Sequence, residues 1–112
     1  MEDCIFCKIA QGKIGTLVYE DSELAAFRDI SPEAPVHILV VPKRHIADLN
    51  DPGLESGLIG RMAAAAVSLA SSEGISGSGY RVVMNCGPDA GQSVGHIHMH
   101  LLGGRKLGWP PG

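Results

Sequence analysis

A chain of 112 residues has the size of one compact domain, so residues 1–112 are expected to form a single domain. Its 45% hydrophobic and 19% charged residues suit a soluble core, and a formal net charge of −3 gives no general electrostatic reason to bind nucleic acid or an acidic membrane surface. The opening MEDCIFCKIAQGK has no basic flank before an apolar core, and no run approaches the ~20 apolar residues of a membrane span, so a cytoplasmic setting is expected. Three cysteines without a secretory signal point to reduced thiols, with Cys4 and Cys7 forming a C-x-x-C pair.

In chain order, Ile5, Phe6 and Ile9 suit a short amino-terminal helix that Gly12 closes. TLVYED and ELAAFRDI read as two strands of an antiparallel hairpin around Asp21-Ser22, and SPEAP as a loop. VHILVVP is an almost wholly apolar third strand, covered on both faces, in which His37 is read as a packed sheet residue rather than a ligand. One long helix is predicted from an Asp51 cap with Pro52 at its first position; Leu54, Leu58, Met62, Ala65 or Ala66, and Leu69 recur along one face until Gly74 stops it. ISGSG links it to a fourth strand, YRVVMN, and the loop CGPDAGQSVG feeds a fifth, HIHMHLL; Cys86 in that loop carries no assigned role, and the tail GGRKLGWPPG has no regular pattern. The fold class is therefore α+β, a five-stranded antiparallel sheet with one long helix and a short amino-terminal helix.

Within HIHMH, alternation along a strand sends His96, His98 and His100 to one face and Ile97, Met99 and Leu101 to the other. Neutral imidazole is a nucleophile, and its protonated form a general acid, so adjacent histidines can divide those tasks. His98 attacking phosphorus would give a covalent nucleotidyl-imidazole for water to hydrolyse, with His100 passing protons; with three interacting rings, the titrations belong to the cluster. Backbone amides of Gly91-Gln92-Ser93-Val94 can cradle phosphate oxygens without an obligatory magnesium ion. Two other readings stand beside this one: a polar strand face, and a nickel, copper or zinc site on imidazoles ~6.6 Å apart, which the lack of a nearby carboxylate weakens in its catalytic form.

GQSVGHIHMHLLGG resembles the histidine triad superfamily, whose signature is His-x-His-x-His. DISPEAPVHILVVPKRHI and NCGPDAGQSVGHIHMHLLGGRKLGWPPG are similar to its nucleotide-binding branch, and WPPG points to the nucleoside phosphoramidases, the likeness running from about Cys4 to Gly112. The resemblance implies a catalytic group of His96, His98, His100 and Ser93, the last placing a hydroxyl near the leaving atom. It implies a purine held by Ile9, Phe27 and Ile30, ribose hydroxyls on Asp29, and phosphate among Asn85, Gln92, Ser93, Val94, His98 and His100. Asp29 also suits a turn cap, and Phe27 and Ile30 suit core positions.

For the Cys4–Cys7 pair a thioredoxin-like reading fails, since only three residues precede it where a strand is required. By resemblance to bacterial members and related nucleotidyl transferases, Cys4, Cys7, His45 and His96 would hold a structural zinc; without it the cysteines would be small core residues. The implied activity is hydrolysis of the P–N bond in an adenosine 5′-monophosphate conjugate through nucleotidyl-histidine. Two alternatives are a dinucleoside polyphosphate hydrolase and a non-catalytic nucleotide-binding scaffold. The implied assembly is a homodimer joined edge to edge with help from the long helix, its Trp109 tail near the partner's pocket.

Overall fold

In a computed structural model the described residues are 3–112. The elements are α1 (Ile5–Ala10), β1 (Tyr19–Glu20), β2 (Leu24–Arg28), β3 (Val36–Pro42), α2 (Ser56–Ser72), β4 (Tyr80–Val83) and β5 (Met99–Gly103), with a 3₁₀ turn at Pro88–Ala90. The five strands form one sheet in the order β1-β2-β3-β5-β4, every neighbouring pair antiparallel. The expected α+β architecture is therefore the observed one. No helix is long and apolar enough to cross a membrane among the described residues.

Period-two alternation divides this sheet into two different faces. Leu24, Ala26, Ile38, Val40, Met99 and Leu101 point to the face covered by α2, where Leu58, Met62, Ala66 and Leu69 complete the main core. Ala25, Phe27, Leu39 and Val41 point to the other face, covered only in part by Phe6 and Ala10 of α1. β3 is buried along its whole length, as its composition requires. The uncovered remainder of the second face is where a ligand can reach the sheet.

Three boundaries differ from expectation for identifiable reasons. The long helix begins at Ser56, not near Asp51, because the Asp51 carboxylate is spent on a loop, accepting from the N–H groups of Ala47 (2.9 Å) and Gly53 (2.8 Å). The first strand is only two residues long, and the Asp21 carboxylate closes its turn by accepting from the N–H groups of Glu23 and Leu24. β5 starts at Met99, so His96 and His98 precede the ladder. There the Pro42 carbonyl is bonded to the His96 ring and the Ile97 N–H donates to Ile46 O at 2.7 Å, which removes the groups a longer ladder would use. The alternation nevertheless persists: Ile97, Met99 and Leu101 enter the main core, and the histidines take the opposite face.

Candidate active site and metal centre

A cleft of about 490 Å³, within the range of small-molecule sites, opens on the α1 face. Of its lining residues, Ile9, Phe27, Asp29, Ile30, Ser93 and Val94 are expected ligand contacts, joined by Phe6 and Leu39. Phe27 is a buried wall, in edge contact with Phe6 at 5.3 Å, whereas Ile30 is 98% exposed at the rim. His98 and His100 adjoin the cleft, the first through edge contact with Phe6 at 5.1 Å and the second opposite Leu39 in the β3–β5 register.

Hydrogen bonds settle the protons on these two rings. A carbonyl only accepts, so His98 Nδ1 donates to His96 O (2.7 Å) and the lone pair of neutral His98 lies on Nε2. The Glu33 N–H donates to His37 Nδ1 (3.0 Å), which leaves the His37 proton on Nε2; that nitrogen donates to His100 Nδ1 (2.9 Å) and lies 3.4 Å from Asp29 Oδ2. Neutral His100 therefore carries its proton on Nε2. Two rings with centroids 5.0 Å apart thus present complementary nitrogens, one basic and one a donor. His37 is the packed sheet residue expected, and its hydrogen bond to His100 is a contact that reading did not include. The available signal was its position as the one polar side chain in an apolar, fully buried strand, where an unpartnered imidazole is costly.

The loop residues divide. Ser93 lines the cleft, but the Gln92 side chain is committed to the loop, with Oε1 accepting from Gly87 N–H and Nε2 donating to Ala47 O and Val94 O. Gly91, with φ +85°, takes the left-handed turn that begins Gly91-Gln92-Ser93-Val94. Asn85 and Gln92 are not among the lining residues, and Asp29 is a turn cap as well as a wall, its Oδ1 accepting from the Ser31 N–H at 2.8 Å. Burial, followed by the nearby His98 and His37, pushes His100 down from 6.5 to about 4, against an opposing pull from Asp29. The unfolded chain therefore binds the extra proton first. Stability should be undiminished above pH 6.5 and fall as the pH drops toward 4, and chemical denaturation of His100→Asn should show a shallower loss over that interval.

Behind the triad, Cys4, Cys7, His45 and His96 place four donor atoms within 4.8 Å of one another. Cys4 Sγ and Cys7 Sγ lie 3.3 and 3.4 Å from His96 Nδ1, and Cys7 Sγ lies 3.3 Å from His45 Nδ1. Tetrahedral zinc with ordinary Zn–S and Zn–N bonds separates sulfur from nitrogen by about 3.5 Å, so the spacing fits. The tautomer fits as well: His96 Nε2 donates to Pro42 O (2.8 Å), leaving the Nδ1 lone pair for the cluster. Burial, then Cys4, raises the Cys7 thiol, and burial lowers His96, so without a cation these two groups are held neutral. A divalent ion would replace the thiol protons.

Residues 12–107 match the HIT domain family. The chain is 50% identical over 109 residues to a purine nucleoside phosphoramidase of Escherichia coli, covering 96% of this chain and 92% of that protein. It superimposes on the crystal structure of a HIT family hydrolase from Legionella pneumophila with a TM-score of 0.93 at 53% identity, covering 98% of this chain and 100% of that one. A histidine triad protein from Clostridium difficile gives 0.92 at 47% identity, covering 96% of both chains. The chain belongs to the HIT family and is a hydrolase.

Proposed function

We propose that the protein hydrolyses the P–N bond of purine nucleoside 5′-monophosphate conjugates through a covalent intermediate on His98. The observation that carries this reading is the complementary protonation of His98 and His100 beside a nucleoside-sized cleft. Bound phosphate anion raises the affinity of neighbouring His100 for a proton, so the ring that is neutral in the free protein becomes an imidazolium in the complex. Its Nδ1–H then donates to His37 Nε2, and the His37 proton moves to Nδ1, whose contact with the Glu33 N–H is given up. His98 Nε2 attacks phosphorus, the P–N bond breaks, and the leaving nitrogen takes a proton from His100 Nε2. The positive charge on nucleotidyl-His98 is stabilised by the His96 carbonyl that holds Nδ1–H. Water then attacks phosphorus, gives its proton to His100, and releases His98 neutral. The Gly91 and Gln92 N–H groups donate to the Pro88 and Gly87 carbonyls (3.0 and 3.1 Å). Of the expected Gly91-Gln92-Ser93-Val94 cradle, the N–H groups of Ser93 and Val94 are therefore the proposed phosphate donors, while Asp29 takes the ribose hydroxyls and Phe27, Ile9 and Ile30 the base. Asn85 and the Gln92 side chain act on this reading by shaping the loop.

Turnover of adenosine and guanosine phosphoramidates beside dinucleoside polyphosphates, with and without chelator, tests the assignment. Release of amine and nucleoside monophosphate from the phosphoramidates is expected at kcat/KM at least about tenfold above the polyphosphates; the reverse order would replace the proposed substrate class. Cys4, Cys7, His45 and His96 are proposed to hold a closed, structural zinc that fastens α1 to the sheet.

A homodimer is proposed from the edge position of β4, whose Val82 is exposed, and from exposed Val67 on α2. Trp109, 82% exposed, lies over Arg81 at 5.9 Å and would meet the partner's cleft from there. Light scattering should give twice the chain mass at micromolar concentration, and removal of residues 107–112 should change leaving-group preference; a monomer, or an unchanged preference, would reject the respective claim.

A further inference from the structure

His96 belongs to both clusters. Its ring lies between the two sulfurs and the Pro42 carbonyl, is fully buried, and has both nitrogens engaged. Its carbonyl accepts the proton that fixes the tautomer of His98. The N–H of that same peptide, on Ile97, donates to Ile46 O, the carbonyl next in sequence to His45. One peptide plane is thus held between His96, a member of the Cys/His cluster, and Ile46, the neighbour of another, and its oxygen aims the His98 ring. A third member of the frame comes from α1: Phe6, between Cys4 and Cys7, sets its ring edge-on to His98 at 5.1 Å and 88° and to His96 at 6.1 Å. The same Phe6 lines the cleft with Ile5 and Ile9.

We propose that the Cys4–Cys7–His45–His96 cluster, when loaded with zinc, is the orienting device of the nucleophile, with His96 and Phe6 as positioning residues that hold the His98 ring and the α1 wall of the cleft. The inference rests on the zinc reading of the cluster and goes beyond a role in folding alone. Loss of the ion leaves His96 Nδ1 held only by hydrogen bonds to neutral thiols and α1 only by its packing, so the peptide and Phe6 hold His98 less firmly. Precise placement of reacting groups carries large rate factors, and a small displacement of the nucleophile is costly.

The test follows the His98 ring nitrogens by nitrogen-15 NMR, together with adenosine monophosphate affinity and the kcat and KM of a phosphoramidate, in zinc-loaded, zinc-stripped and cadmium-substituted protein. Zinc stripping should abolish the His98 Nδ1–H signature, weaken nucleotide binding at least about threefold and lower kcat at least about tenfold, all restored by added zinc. Cadmium, which makes longer bonds, keeps the fold in place if stripping unfolds the chain; it should shift the His98 resonances and lower kcat with KM little changed. Phe6→Leu should retain zinc and move the same resonances. Stoichiometric zinc with His98 resonances, nucleotide affinity and kcat indifferent to stripping or cadmium would overturn the orienting role and leave the metal site standing. Absence of zinc binding to the wild-type chain would overturn the zinc reading itself.

Discussion

His98→Ala is expected to slow turnover of an adenosine phosphoramidate at least about 100-fold while nucleoside monophosphate binding survives. The reason is the division of nitrogens between the rings: His98 Nε2 holds the free lone pair, whereas neutral His100 carries its proton on Nε2. Alanine at 98 removes the attacking atom and leaves Phe27, Asp29 and the 91–94 loop to bind. The mechanism also fixes a stereochemical outcome, since two in-line displacements at phosphorus each invert and together retain configuration. Mass spectrometry of a rapidly quenched reaction should find the nucleotidyl group on His98. Inversion at a chiral phosphorus, or turnover by His98→Ala within a factor of a few of wild type, would reject the nucleophile. His37→Ala should act in the same reaction from one step away, because it removes the hydrogen-bond partner of His100 Nδ1; the loss should be greatest for poor leaving groups, which depend most on a proton from His100.

Cys7→Ser is expected to release about one equivalent of zinc per chain and to lower the melting temperature by at least about 10 °C. Cys7 is buried, 3% exposed, and its sulfur faces both His45 and His96, so serine removes the donor that joins the two imidazoles. Cys4 is half-buried, and its sulfur also caps α1 by accepting from the Cys7 N–H at 3.3 Å. Cys4→Ser can preserve that cap with its hydroxyl, and should therefore cost less than Cys7→Ser. Elemental analysis and thermal melts of the two variants, made under reducing, zinc-replete conditions, decide both points. Equal melting temperatures for wild type and Cys7→Ser would remove the structural role.

Local pattern determined much of this protein. The apolar run of β3, the hairpin turn at Asp21, the periodic face of α2 and the alternation through HIHMH are properties of neighbouring residues. Burial on both faces makes β3 a continuous apolar run, the Asp21 carboxylate caps its own turn, and burial on one face imposes a period of 3.6 on α2 and of 2 on HIHMH. The HIT signature likewise lies within a few consecutive residues, which is why the family could be read before the fold. Where elements begin was less legible: Asp51 has the chemistry of a helix cap, but its carboxylate meets Ala47 and Gly53 first, and side-chain competition of that kind leaves no periodic trace. Only the tertiary structure decided which nitrogen of each histidine carries the proton, because that depends on partners far away in sequence: Glu33 and His37 for His100, and the Pro42 carbonyl for His96. His37 shows the difference most clearly. In the chain it is one imidazole in an apolar strand; antiparallel pairing of β3 with β5 places it opposite Leu102, across the ladder from His100, and the need to satisfy a buried polar ring turns that neighbour into a hydrogen-bond partner.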